Sequence, residues 1–180
     1  MTSLIVAFAG TTASGKSTIS TALAERLGWK RAGFGDYVRQ IARERGVAQS
    51  IENLQDLGAE LVAEGAEQFC RGVLEAVNWR AGEPVVVDGV RHLEVLATLR
   101  GLTAPSKIVL VFVTVGNAER FARLKERGIN DTSRLARIES HSAERQVRDV
   151  LRSAADLVVD GSDPLDRTVA TILGWLGQHR

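Results

Sequence analysis

The stretch GTTASGKS, residues 10–17, spaces two glycines, a lysine and a serine in the pattern G-x-x-x-x-G-K-[ST]. Glycines at those positions let the backbone curl so that successive N–H groups point inward at a phosphate chain. The lysine then reaches the β and γ oxygens, and the serine hydroxyl ligates Mg²⁺. Here those roles fall to Gly10, Gly15, Lys16 and Ser17. The flanks agree with the motif. The apolar run LIVAFA, residues 4–9, reads as a buried strand. After the loop, Ile19, Leu23 and Leu27 recur every fourth position until Gly28 closes the helix, whose N-terminal dipole also favours an anion. Gly10, Thr11, Thr12, Ala13, Ser14, Gly15, Lys16, Ser17 and Thr18 are therefore the candidate nucleotide contacts.

Working outward, short β-branched runs alternate with longer amphipathic stretches: WKRAGF at 29–34, VVVD at 85–88, KIVLVFVTV at 107–115 and DLVVD at 156–160. Continuous apolar runs suit strands buried on both faces of a parallel sheet, with helices on either side. The three prolines stand at element starts: Pro84 and Pro105 before strands, and Pro164 as the first helical residue after an Asp163 cap. No repeat, low-complexity tract or long linker divides the chain, so residues 1–180 read as one α/β domain. Residues 49–79 form a long helical insertion between the second and third strands.

Composition narrows the function. Lys plus Arg is 23 and Asp plus Glu is 22, which leaves a formal charge of +1 and no general attraction to nucleic acid or a membrane surface. Any anion site must be local. The single cysteine, Cys70, rules out an intramolecular disulfide framework and Cys-cluster metal sites, and fits a reducing, cytoplasmic setting. The first apolar run has no basic region ahead of it and is too short to span a bilayer.

Phosphate-binding loops serve switches, motors and kinases alike. A guanine-reading N-K-x-D segment is absent, as is L-S-G-G-Q, and Asp88 is followed by Gly89 rather than by the glutamate of an AAA-type motor. Three constellations point instead to phosphoryl transfer. FGDYVRQIARERG puts Asp36 just past the second strand, able to accept a proton or help hold a metal, with Arg39 one turn on, able to grip an acceptor phosphate. Alternatively, Asp36 caps a helix and Arg39 is solvated. VVVDGVR ends the third strand on Asp88, placed to orient Mg²⁺ through water, with Arg91 in reach of an acceptor. ERFARLKERG lines Arg120, Arg123 and Arg127 along one helical face, and Arg134 and Arg137 follow the turn GINDTS. Arginines that close over a transferring phosphoryl group neutralise its equatorial oxygens. A solvated charged face is the plainer alternative.

GTTASGKS, GDYVRQIARERG, NLQDLG (residues 53–58), DGVR, RLKERG and ADLVVDGS (residues 155–162), in that order, resemble the nucleoside monophosphate kinase-like branch of P-loop proteins. That branch includes adenylate-kinase-like enzymes, dephospho-coenzyme A kinases and deoxynucleoside monophosphate kinases. The resemblance implies a three-layer P-loop NTPase fold with a five-stranded parallel sheet in the order 2-3-1-4-5. It also implies an acceptor-binding helical region over about 36–80 and a short lid over about 127–145. ATP and Mg²⁺ are the implied cofactors and a small nucleotide the implied acceptor. Lys16, Asp36, Arg123 and Arg127 would be catalytic. Asp36, Arg39, Gln55, Asp88, Arg91 and Arg137 would serve the acceptor, and Gly161 and Ser162 would lie near the ATP base. The adenylate-kinase pattern D-G-F-P-R is shortened here to DGVR, and Ile129 stands where related sequences often carry another arginine. Two rival readings remain: a dephospho-coenzyme A kinase in which Asp36 is a true base, and an ATP-binding regulatory module with no small acceptor.

Overall fold

The computed structural model describes residues 3–179. Five strands form one parallel sheet: β1 (Leu4–Gly10), β2 (Lys30–Gly33), β3 (Val85–Val90), β4 (Lys107–Thr114) and β5 (Leu157–Asp160), in the order β2-β3-β1-β4-β5. The expected architecture and strand order are both present. β1 is central because it is apolar on both faces. It pairs in parallel with β3, Ile5 opposite Val85, and with β4, Leu4 opposite Lys107.

The alternation of β1 divides the core. Ile5, Ala7 and Ala9 face a larger cluster with Phe34, Phe69, Val87 and Leu110. Val6 and Phe8 face a second cluster with Leu23, Val111, Ile172 and Leu176. The second layer consists of α1 (Lys16–Leu27) and α8 (Leu165–Gln178). The first holds α2 (Phe34–Glu44), α3 (Ile51–Glu75) and α4 (Leu93–Leu102). α3, the insertion, is broken at Gly65, whose backbone is extended rather than helical. Cys70 lies in this layer, fully buried, and burial pushes its thiol up to about 12.

After β4 come α5 (Asn117–Glu126), α6 (Thr132–Ser140), α7 (Ser142–Gln146) and a π-helical turn, Val147–Leu151. They are tied to the phosphate-binding loop by a third, small core of Ala13, Leu124, Ile129 and Ile138. Ile129 therefore packs, which explains an apolar residue in an otherwise charged segment. One boundary differs from expectation: Pro164 is itself the cap of α8, with an extended ψ of 134°, and the helix starts at Leu165. Proline's fixed φ suits either position, and here the preceding Asp163 is left outside.

The end of β5 is pressed against the loop. A Cβ added to Gly161 would stand 2.0 Å from the Ser14 carbonyl oxygen and 3.1 Å from that of Thr114, both backbone atoms with little room to yield. Gly161→Ala should therefore destabilise the protein by about 1–3 kcal/mol, as overpacking does. Chemical denaturation compared with a Gly177→Ala control, where a Cβ meets nothing within 4 Å, checks this.

Candidate functional site

Parallel strands leave their carboxyl ends along one rim, and the loop, Asp88 and the start of α2 meet there. A cleft of about 200 Å³ opens beside them. Its polar wall carries Lys16, Ser17, Asp88, Arg91 and Arg127 at the loop end, with Arg39, Gln55 and His92 further along. Phe34, Val38, Leu54 and Phe69 supply an apolar wall. Donor-side and acceptor-side candidates thus share one cavity.

Lys16 is buried at 8 % exposure, and its ammonium donates to the Thr11 carbonyl at 3.3 Å. Burial and the nearby Arg91 charge lower its pKa to about 8, against the opposing pull of Asp88 and Glu144. Arg127 projects from the C-terminal end of α5 and has no hydrogen bond or ion pair through its side chain among the described residues. Arg123 is placed differently. It donates to the carbonyls of Ala13 (3.3 Å) and Gly161 (2.8 Å) and pairs with Glu119, so it ties the loop to the end of β5 and does not line the cleft. Gly161 spends its carbonyl on that bond, while Ser162 is exposed and donates its N–H to Asp160 at 2.8 Å.

Asp36 belongs to the first turn of α2 and is held by Arg31 (2.8 Å) and Arg39 (2.6 Å). Burial would raise its pKa, but hydrogen bonds from Arg31 and Arg39 outweigh this and hold it below the usual carboxylate range. It caps nothing, and its arginine-bound state makes it a weak base. Arg31 also pairs with Asp88, which joins the ends of β2 and β3. The other Asp88 oxygen, Oδ1, is buried with no hydrogen-bond partner, as is Ser14 Oγ in the loop. An orphaned carboxylate oxygen beside the exposed Ser17 hydroxyl is a donor set that fits a hydrated Mg²⁺, which favours oxygen ligands and keeps several waters. Among the described residues no cluster of three or more His, Cys, Asp or Glu forms a protein cage for a metal.

Gln55 is buried at 8 % exposure rather than standing on a helix surface. Its amide nitrogen lies 3.4 Å from the Ile138 carbonyl and 3.5 Å from Glu144. Arg137 stays on the exposed side of α6, outside the cleft. Arg134 instead reaches back to α3 and meets Glu52 through two hydrogen bonds, 2.8 and 3.1 Å.

Three residues are central in ways the sequence did not announce: Glu144 and Arg31, which it did not single out, and Arg120, expected on the same charged face as Arg123 and Arg127. Glu144, with no exposed surface, accepts the Thr12 N–H at 3.2 Å on each carboxylate oxygen, the Thr12 hydroxyl, and a bond from Arg91. Burial would raise its pKa, yet Arg91, the Thr12 hydrogen bond and Lys16 hold it down to about 2. Arg120, 4 % exposed, donates to the Thr12 carbonyl at 3.0 Å and to Glu139 at 2.6 Å, so it is a buried strut rather than part of a solvated face. Arg31 is the third. No local pattern marks Glu144 or Arg31, and the pattern that holds Arg120 does not distinguish it from Arg123 and Arg127.

Comparison with known proteins agrees with the fold. A family model described as an AAA domain (AAA_18) matches residues 6–155. A UPF0200 protein of Thermococcus kodakarensis is 35% identical over 136 residues, 71% of this chain and 70% of the relative. The chain belongs to this AAA domain family and to the UPF0200 proteins. A UPF0200 protein of Methanosarcina mazei is 29% identical over 144 residues, 79% of this chain and 76% of that one. Among solved structures, shikimate kinase from Aquifex aeolicus aligns with a TM-score of 0.60 at 17% identity, covering 97% of each chain. A gluconokinase from Sinorhizobium meliloti aligns at 0.62 and 21%, covering 98% of this chain and 92% of its own. These likenesses establish the P-loop kinase-like fold. β3 runs two residues past Asp88, where the sequence expected it to end, because Val90 still pairs with Ala9, and despite the family's description Asp88 is followed by Gly89 rather than by the glutamate of a motor. No helix among the described residues is long and apolar enough to cross a membrane.

The lowered pKa of Lys16 has a measurable consequence. Polyphosphate bound beside the ammonium favours its charged form, so above pH 8 binding must take up a proton, and below it need not. ATP affinity should therefore be insensitive to this group below about pH 8 and weaken as pH rises beyond it. Calorimetric titration at pH 9 in buffers of different ionisation enthalpy should show net proton uptake that vanishes at pH 7, once ATP's own titration is subtracted.

Proposed function

We propose that this protein is an ATP- and Mg²⁺-dependent kinase that moves the γ-phosphoryl group to the phosphate of a nucleoside monophosphate or a closely related nucleotide. The observation that carries this reading is the cleft that Lys16 and Ser17 share with Arg39, Arg91 and Arg127, in which the one carboxylate among the described lining residues, Asp88, is engaged by Arg31. Two anionic ligands can be neutralised there at once, and Asp88 is held by Arg31 through one oxygen while its bare oxygen would serve Mg²⁺ rather than a hydroxyl proton. The kinase names of the structurally similar proteins support the reaction class, and the apolar wall of Phe34, Val38 and Phe69 suits a planar base.

In this reading the loop amides and Lys16 hold the donor's β and γ phosphates. Ser17 and Asp88 would hold Mg²⁺, which neutralises charge on those oxygens when bound. Arg39 and Arg91 grip the acceptor phosphate from the opposite side, and Asp36 fixes the fork of Arg39. Arg127, unpaired at the loop end of the cleft, meets the charge that builds on the transferring group. Arg123 acts at one remove by bracing the loop. Because the acceptor phosphate is already a nucleophile, alignment and charge neutralisation supply the catalysis. Residues 36–80 would cradle the acceptor and residues 127–145 would cover both ligands. A dephospho-coenzyme A kinase would need Asp36 as a base, and its two arginine bonds argue against that use.

Incubation with γ-labelled ATP, Mg²⁺ and a panel of ribo- and deoxynucleoside monophosphates plus dephospho-coenzyme A tests the reading. Label should appear in a nucleoside diphosphate. Arg127→Ala should lower kcat by about 10²–10³, and Arg39→Ala or Arg91→Ala should raise the acceptor KM by about tenfold or more. Label in coenzyme A, with Asp36→Asn far more damaging than Arg39→Ala, would establish the rival enzyme. No transfer to any acceptor, with slow ATP hydrolysis only, would establish a regulatory module.

A further inference from the structure

Arg91 is the acceptor-side arginine nearest the phosphate loop, and its guanidinium is anchored at two points. Nη1 donates to the buried carboxylate of Glu144, and Nη2 donates to the Thr12 hydroxyl at 3.2 Å. A planar fork held twice has a fixed plane, and its remaining N–H donors are left for the cleft that Arg91 lines. Glu144 is in turn locked by Thr12 through both the N–H and the hydroxyl, with Arg120 Nη2 4.0 Å from its second oxygen. The carboxylate therefore belongs simultaneously to α7, to the donor loop and to the acceptor arginine.

We propose that Glu144 is a positioning residue that aims Arg91 at the acceptor phosphate, so that docking of the α6–α7 segment on the loop is what sets the acceptor site. This rests on the kinase reading given above. The residue is not a base: with Thr12 and Arg91 bonded to it in a buried site, its role is to hold, and the proton traffic of the reaction does not pass through it. The route from α7 to the acceptor is short. Glu144 fixes Arg91 directly, and it also lies 3.5 Å from the Gln55 amide that lines the same cleft. Thr12 contributes the second anchor and thereby makes the donor loop part of the acceptor's support.

The test separates anchoring from function. In the ligand-free full-length protein, nitrogen-15 NMR of the arginine side chains, assigned with Arg91→Lys, should show separate Nη signals for Arg91 because rotation of its guanidinium is blocked. Glu144→Gln should merge them, and Thr12→Val, which removes only the second anchor, should broaden or merge them if the glutamine variant fails to fold. Averaged signals in the wild type, or signals unchanged in both variants, would overturn the proposal. With the acceptor found by the label screen, Glu144→Gln should raise the acceptor KM by about tenfold while leaving the ATP KM within about threefold, and Glu144→Asp should recover part of the loss. Equal rises in both KM values would mean a general structural role and overturn it as well. Should the wild type transfer label to no phosphate-bearing acceptor, the kinase reading falls, and the guanidinium signals still decide whether Glu144 anchors Arg91.

Discussion

A phosphate-binding loop concentrates converging N–H groups and cationic side chains in a partly dry rim, and the protein must balance that charge with carboxylates of its own. Lys16, Arg31, Arg91 and Arg120 are all half-buried or buried around the loop and the adjoining strand ends. Two buried carboxylates, Glu144 and Asp88, oppose them. Removing one partner of such a pair leaves an uncompensated charge in low dielectric, which costs far more than a surface ion pair contributes. The arrangement of the cleft follows from this balance. Asp88 keeps one oxygen bare, Glu144 keeps none, Arg127 has no side-chain partner among the described residues, and Arg39 has one, the half-exposed Asp36.

The Thr12 peptide shows how tightly the halves of the chain are joined at this rim. Its N–H goes to Glu144 and its carbonyl to Arg120, residues more than a hundred positions away in sequence. Beside it, Ala13 packs with Leu124, Ile129 and Ile138. The segment expected to act as a lid is thus apolar as well as ionic where it meets the loop. Arg134 with Glu52 and His141 with Asp56 join the same segment to α3.

Much of the fold was legible in the sequence because its determinants are local. Apolar, β-branched runs marked four strands, the short WKRAGF stretch ahead of Gly35 marked the second, and the glycine spacing with its following lysine and serine marked the loop. The strand order came from resemblance rather than from any run of residues. The site was legible only in outline. Asp88 and Arg91 stand at the end of β3 beside a glycine and Arg39 lies in the helix that follows β2, and the structure brings all three into one cleft. The roles of Glu144, Arg31 and Arg120 were not legible because they are defined by partners 132, 57 and 108 residues distant. Arg120 shares its helix and its charge with Arg123 and Arg127, yet one is buried, one braces backbone and one is free. Only packing distinguishes them.

Cys70 offers a consequence of a different kind. It is the sole cysteine, wholly buried on the insertion helix with its thiol against the Val95 carbonyl of α4, and its sulfur is both inaccessible and overwhelmingly protonated at neutral pH. A thiol-directed dye can therefore reach it only when that layer comes away from the strands. The rate of modification becomes a built-in clock for opening of the helical layer, readable in the unaltered protein and at any nucleotide concentration.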